Sequence, residues 1–348
     1  MNTDLEMGDK LLRWYHEYSR ALPWRETKDP YSIWISEIIM QQTRVAQGTQ
    51  YYERFIERFP TVKDLSEANV DEVLLYWKGL GYYSRAINLH KASIQVQQDF
   101  GGVFPRDYDS LLHLKGIGKY TAAAISSICF QEPKVAIDGN QYRVWSRYFA
   151  DSFDITSSGA FEYFALLAQR LMPREDPGEF NQAVMDLGSS ICKPQNPNCI
   201  ECPLNENCLS YKVGSSQKYP VKSRKVKVKE DILIYYFVYY KDVFLVRQRD
   251  SGSIWKLLYE FPTQLPESLK THVTDFIEVR HLLSHRELRI QIHTVMLSSP
   301  DEFKMYSTDS SVFPIVYKDS NLKSFPRPLD QFIQQWAHIN RIVAESFR

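Results

Sequence analysis

Hydrophobic and polar positions repeat with a helical period over the first half of the chain and change texture beyond Glu230. The stretch 4–20 reads as a helix with Leu11, Leu12, Trp14, Tyr15 and Tyr18 as its apolar surface, and Leu22-Pro23-Trp24-Arg25 breaks it. Asp29-Pro30 starts a second helix, whose buried stripe is Ile33, Trp34, Ile38, Ile39 and Met40. Further helices are predicted over 48–60, 66–78 and 84–99, separated by the tight loop Lys78-Gly79-Leu80-Gly81-Tyr82-Tyr83. After Asp138 the helical pattern runs to about 191, with breaks at 157–159 and 173–178. Ile232 to Tyr240 and Val243 to Val246 are β-rich and joined by Lys241-Asp242, a hairpin signature. More strands are predicted near 277–283, 288–298 and 312–317, and a closing helix over 328–346.

Two places in this pattern carry chemistry. Glu37 falls inside an apolar stripe, where a carboxylate without a partner is costly and its pKa should climb toward neutrality. A solvent-reaching glutamate at the stripe's edge is the plainer alternative. The polar helix end that follows, Gln41, Gln42, Thr43 and Arg44, suits hydrogen bonding to bases or phosphates. The second place is Leu111 to Arg147. Gly116-Ile117-Gly118-Lys119 makes a tight turn between two helices, and the free N–H groups at the second helix's start favour an anion. Beyond it, Asp138 follows the apolar Val135-Ala136-Ile137 and precedes a helical run, a natural N-cap. The Gly79–Tyr83 loop exposes Leu80 and Tyr82, side chains able to wedge between bases, although inward packing would serve an ordinary turn equally well.

Composition sets bounds on these readings. The 348 residues suffice for two domains with real cores, and 44% are hydrophobic and 24% charged. Formal net charge is zero, so contact with nucleic acid would have to be local. The polar start, Met1-Asn2-Thr3-Asp4, does not read as a signal peptide, and no apolar run approaches eighteen residues, so no membrane span is expected. Four of the five cysteines, Cys192, Cys199, Cys202 and Cys208, follow the spacing C-x6-C-x2-C-x5-C. Four thiolates so close suit zinc or an iron–sulfur cluster in a reducing compartment better than two disulfides. Residues 218–229 hold six basic residues and no acid, a linker able to track a phosphate backbone or simply to be solvated.

Taken together, these motifs resemble the helix-hairpin-helix DNA glycosylases. The cysteine spacing resembles the cluster loop of the endonuclease III superfamily. With Leu22 to Arg25, Ser36-Glu37, Gln41 to Arg44, Gly79 to Tyr83 and Val135 to Arg143, the chain resembles the MutY family of adenine DNA glycosylases over nearly its whole length. The resemblance implies an all-α glycosylase core over 1–217, with the hairpin at 111–130 and an iron–sulfur loop at 192–208. It also implies a basic linker over 218–229 and an α+β, Nudix-like lesion-recognition domain over 230–348. Trp255 to Pro262 resembles the opening of a Nudix-type fold, but the repeated glutamates of the Nudix metal box are missing, so the domain should read rather than hydrolyse.

What the resemblance implies for function is removal of adenine mispaired with 8-oxoguanine or guanine, after the adenine is flipped from duplex DNA. Glu37 matches the family's catalytic acid and Asp138 the carboxylate that stabilises the sugar cation. Tyr120 and Asn140 match residues that orient the intermediate. Arg20, Trp24, Arg25 and Met40 would line the adenine pocket, with Gln182 and Met185 behind. Tyr82 would be the wedge and Gln42 the plug, with Leu80 and Thr43 at the opposite base and Gln41 beside them. Gly116, Gly118 and Lys119 would hold phosphate. Ser284 and His285 match the reader loop, although Leu283 stands where the family carries phenylalanine. The four cysteines would hold a 4Fe–4S cluster. Because Tyr120 replaces the lysine of glycosylases that also cut the backbone, no strong lyase activity is implied. The expected protein is a monomer, cytoplasmic and nucleoid-associated. Three rivals remain: a thymine-glycol type glycosylase/lyase, a Nudix hydrolase fused to a DNA-binding module, and a non-catalytic DNA-binding protein.

Overall fold

The computed structural model describes residues 3–223, 228–250, 252, 254–283, 286–306 and 310–346. The chain divides into two compact units, one made of residues 1–67 and 88–225, the other of 68–87 and 226–348.

The first unit is helical. It opens with α1 (Thr3–Tyr18), α2 (Pro30–Met40), α3 (Val45–Arg58) and α4 (Val62–Glu67), while α5 (Val70–Tyr76) falls in the segment assigned to the other unit. It continues through α6 (Ser84–Phe100), α7 (Tyr108–Leu112), α8 (Lys119–Phe130), α9 (Gly139–Tyr148), α10 (Ala160–Gln169), α11 (Pro177–Ser190) and α12 (Leu209–Lys212). The single helix predicted over 66–78 is two elements. α4 stops at Glu67, and Asn69, extended at φ −71°, starts α5 by accepting the Asp71 N–H at 2.8 Å. The break predicted at 157–159 is also wider, because Asp151 and Asp154 fold the 149–159 segment into side-chain-capped turns onto the N–H groups of Phe153 and Thr156.

One core of this unit lies between α1, α9, α10 and α11, where Leu11, Trp145, Phe164, Phe180 and Leu187 are fully buried. Trp145 and Phe180 stack at 5.8 Å with their planes 13° apart. Burial of that order contributes roughly 1.5–3 kcal/mol for each large apolar side chain. α11 comes so close to α9 that a Cβ on Gly188 would fall 2.6 Å from the Asn140 Cβ.

The second unit is α+β. Its strands are β1 (Lys229–Tyr240), β2 (Val243–Gln248), β3 (Tyr259–Glu260), β4 (Val273–Leu282), β5 (Arg286–Met296) and β6 (Val312–Val316), followed by α13 (Arg327–Ser346). They form one mixed sheet in the order β3-β2-β1-β5-β4, with β6 also on β2. β1 and β5 run parallel from Lys229↔Arg286 to Tyr239↔Met296, and the remaining pairs are antiparallel. Leu288, Ile290 and Ile292 alternate inward on β5 and meet Phe237, Phe244, Phe261 and the α13 residues Phe332 and Ile333. The short strand β3, inside the 255–262 segment, was not predicted. Residues 68–87 join this unit through side chains: Asp71 accepts from the Tyr259 hydroxyl at 2.7 Å and Gln248 Nε2 at 3.0 Å, and Lys78 pairs with Asp330 at 2.6 Å.

Candidate active site

The site begins with how α2 is fixed. Asp29 caps it by accepting the Ser32 N–H at 2.8 Å, and Pro30 occupies its first turn. Ile33, Trp34, Ile35, Ile38 and Ile39 are all buried, so Glu37 has almost wholly apolar neighbours along its own helix. Across from it stands Tyr120, one residue into α8. Its hydroxyl donates to Glu37 Oε2 at 2.5 Å and lies 3.7 Å from the Met185 sulfur. The hairpin that places Tyr120 depends on Gly116, which has φ +81° and no room for a Cβ, since one would lie 2.6 Å from the Asn88 Cβ.

Asp138 caps α9 by accepting the Gln141 N–H at 2.7 Å, and it accepts Asn140 Nδ2 at 2.8 Å. The segment before it is pinned by a buried amide. Asn181 on α11 accepts the Ala136 N–H at 2.9 Å and Gln141 Nε2 at 3.1 Å, and donates to the Lys134 carbonyl at 2.8 Å. Arg143 braces the start of α9, donating to the Gly188 carbonyl at 2.6 Å and to Asn140 Oδ1 at 2.7 Å.

Electrostatics separate these groups. Burial pushes the Glu37 carboxyl up to about 7; the Tyr120 hydroxyl and Arg25 work against this rise, and Asp138 adds to it. Burial also raises Asp138 above its ordinary value, although the Gln141 and Asn140 hydrogen bonds favour its charged form. Tyr120 is driven well above the ordinary phenol range by burial and then by the two carboxyls, so it stays a donor. The arrangement supplies a carboxyl that holds a proton near neutral pH beside a second carboxyl anchored by N–H donors.

The predicted pocket residues divide into groups. Met185 touches the Glu37–Tyr120 pair. Arg20, Arg25 and Gln182 line a cleft with Tyr15 and Leu22, and the Tyr15 hydroxyl donates to Gln182 at 2.6 Å. Trp24 and Met40 pack on α3 instead, Trp24 edge-on to Tyr52 at 5.3 Å and Met40 against Gly48. At the end of α2, Gln41 Nε2 reaches Thr121 Oγ1 at 3.4 Å, Thr43 Oγ1 reaches the Gln41 carbonyl at 3.5 Å, and Gln42 sits at φ +59°. That left-handed backbone is costly for a non-glycine residue and marks Gln42 as held in place. Gly118 caps α8, and Lys119 pairs with Glu162. In the other unit, Leu80 is half-buried, while Tyr82 is 48% exposed with φ +48°. Ser284 and His285 lie outside the described residues, as does part of the basic segment, 224–227.

Cys192, Cys199, Cys202 and Cys208 line one small cavity together with Arg147, Ile191 and Pro197. Among the described residues no three His, Cys, Asp or Glu side chains are grouped as a single-ion site. Thiolates around one zinc would be about 3.8 Å apart, from a Zn–S bond of about 2.3 Å. Four cysteines facing one cavity fit either a single zinc or a multi-iron cluster, whose cysteines bind separate irons. Arg147, 3% exposed, donates to the Cys192 sulfur at 3.3 Å, the Lys193 carbonyl at 2.7 Å and the Pro194 carbonyl at 3.0 Å. A cation directed at a ligand sulfur suits an anionic thiolate set.

Sequence reasoning missed Asp186. It is 2% exposed on α11 and takes both pocket arginines: Arg25 Nη1 and Nη2 at 2.8 and 2.9 Å, and Arg20 Nε at 2.9 Å. Its one signal was register, four residues after Gln182 and beside Met185 on the inward stripe. Asn181 was missed for the same reason, an ordinary residue in an amphipathic helix.

Residues 35–168 match the family described as HhH-GPD superfamily base excision DNA repair protein. The chain is 32% identical over 351 residues to the adenine DNA glycosylase of Buchnera aphidicola subsp. Baizongia pistaciae, covering 97% of this chain and 99% of that protein. It is 41% identical over 217 residues to the adenine DNA glycosylase of Rattus norvegicus, covering 60% of this chain and 42% of that one. Among solved structures it is similar to a thermostable thymine-DNA glycosylase, at 29% identity and TM-score 0.56, over 61% of this chain and 98% of that chain. It shares its fold with a non-covalent endonuclease III–DNA complex, at 24% identity and TM-score 0.52, over 62% and 99% of the two chains.

Proposed function

The chain belongs to the adenine DNA glycosylases of the helix-hairpin-helix superfamily, and from that membership we propose that it excises adenine mispaired with 8-oxoguanine or guanine. It is a base-excision repair enzyme that hydrolyses an N-glycosidic bond. The observation that carries the specific reading is Glu37: a carboxyl held up to about 7 and bonded to a tyrosine hydroxyl 2.5 Å away.

The chemistry follows from the substrate. Adenine leaves poorly unless a ring nitrogen accepts a proton. Glu37 supplies that proton to a base flipped out of the duplex, extrusion costing a few kcal/mol. As the bond breaks, positive charge develops on the sugar. Asp138 faces that charge as anion or transient nucleophile, and a water then forms the new C–O bond at the sugar carbon and gives its proton to the carboxylate that Glu37 has become, the logic of two carboxyls flanking a glycosidic bond. Asn140 and the α9 N-terminus keep its oxygens oriented, and Tyr120 steadies Glu37. Arg20, Arg25 and Gln182 bind the extruded base in their cleft. Tyr82 acts as wedge, Gln42 as plug, and the Gly116–Lys119 hairpin grips phosphate.

Tyr120 has no amine, so it cannot attack the sugar as a Schiff-base nucleophile, and the enzyme is monofunctional. The four cysteines hold a 4Fe–4S cluster. The chemistry it supplies is iron–thiolate cross-linking of the 192–208 loop. The sheet unit is a Nudix-like reader of 8-oxoguanine, supported by its mixed sheet and closing helix. The enzyme works as a monomer on the cytoplasmic nucleoid.

Single-turnover release of adenine from an A:8-oxoguanine duplex tests this, with and without alkali to reveal backbone nicking. We expect release with strand breaks only after alkali, and its collapse in E37Q with duplex binding retained. Undiminished release by E37Q would overturn the acid's assignment. Purified protein should be yellow-brown; colourless protein with stoichiometric zinc would overturn the cluster.

A further inference from the structure

Glu37 keeps its proton although an arginine acts on it. The groups acting on it are Tyr120 from α8, Asp138 from the turn before α9, and Arg25 from the 23–25 turn. Of these, Arg25 is the only cation. Left mobile, a guanidinium with five donors would pair with the Glu37 carboxylate and strip the proton an acid needs.

Arg25 is tied down on several sides. Both its terminal nitrogens bond the two oxygens of Asp186, at 2.8 and 2.9 Å, and Nη1 also donates to the Arg20 carbonyl at 3.0 Å. The Tyr15 ring lies 5.4 Å from its guanidinium carbon. Asp186 also accepts the Arg20 N–H at 3.3 Å and Nε at 2.9 Å, so it ties the whole 20–25 segment to α11. We infer that Asp186 is a positioning residue for the reaction: its two-pronged grip turns Arg25 away from Glu37 and so preserves the acid's proton. Burial opposes the charged form of Asp186, but Arg25 and Arg20 outweigh it and hold the carboxyl below its ordinary value, so the grip persists at neutral pH. The same helix carries Gln182 and Met185, so one rigid element sets the cleft, the tyrosine contact and the charge balance.

The inference rests on the reading of Glu37 as the acid, and its test reads Glu37 without using activity. The full-length protein is labelled with 13C at glutamate carboxyls, E37Q identifies the resonance, and its titration is followed in variants. In D186N, Arg25 is released and the Glu37 midpoint should fall by about one pH unit. In R25Q the midpoint should rise, and in D186E it should stay close to the parent's. The alkaline limb of adenine release should move with it. The opposite signs follow from a carboxylate and a guanidinium both acting on Glu37, whereas a contact that serves folding alone would leave the midpoint where it is. An unmoved midpoint in D186N, or shifts of the same sign in D186N and R25Q, would overturn the inference. If D186N does not fold, D186N/R25Q carries the test: a midpoint at or above the parent's supports the inference, and one below it overturns it. If E37Q stays active, the assignment of the acid fails, while the titration still decides what Asp186 does.

Discussion

Glu37, half-buried, and Glu260, fully buried, are both carboxylates set among apolar residues, one in each unit, and they are partnered differently. Glu260, 1% exposed on β3, is clasped by Arg247 at 3.0 Å and by Arg249, which also donates to the Tyr235 hydroxyl at 2.8 Å. Its charge is matched, and nothing about it suggests reactivity. Glu37 receives a neutral tyrosine hydroxyl, while the arginine that acts on it is committed to Asp186. A buried carboxylate with two guanidinium partners is a fastening, whereas a half-buried one hydrogen-bonded to a neutral hydroxyl is free to hold a proton. The difference lies in the partners, since both residues sit in similarly hydrophobic stretches of sequence.

The greatest change is expected at Glu37. E37Q should lower single-turnover adenine release by about a hundred- to ten-thousand-fold, the usual worth of a general acid. Release within a few-fold of the parent's would erase the distinction. At Glu260 the expected loss is in folding. E260Q leaves Arg247 and Arg249 without their shared anion and should cost about 3–5 kcal/mol in denaturant unfolding, with Glu37's titration unchanged. A variant as stable as the parent would mean the cluster is ornamental.

A third difference is in pH dependence. The folded state raises Glu37 from 4.5 to about 7, so it binds that proton more tightly than the unfolded chain does. Below pH 4.5 both states are protonated and the residue carries no penalty. Between 4.5 and about 7 the unfolded chain ionises first and stability drains away, by on the order of 3 kcal/mol at about 1.4 kcal/mol per unit. E37Q should therefore gain stability over the parent across that window and level off above it. A gap independent of pH would show that Glu37 titrates as it does in water. The smallest effect concerns Tyr120. Its hydroxyl holds Glu37 down, so Y120F should move the alkaline limb of activity upward by about a unit or less. A downward move would mean the hydroxyl stabilises the protonated form.

Much of this was legible in advance because it is local. Apolar periodicity gave α2 and α6, Asp29-Pro30 marked a helix start, Asp138 announced itself as a cap, and Lys241-Asp242 marked the β1–β2 turn. Asn69 was an equally local signal that the predicted 66–78 helix overrode. What stayed hidden depends on partners far apart in sequence. Asp186 meets Arg20 and Arg25 across 166 and 161 residues, and Asn181 meets Ala136 across 45.

Residue order alone names the groups with chemistry to offer: a glutamate in an apolar stripe, an aspartate at a helix start, a tyrosine in the hairpin's following helix, and four spaced cysteines. What each of them meets comes from folding, because a proton's affinity depends on charges and donors brought within a few ångströms. The turn that sets Arg25 on Asp186 is written in no local pattern, because it joins residues 161 positions apart.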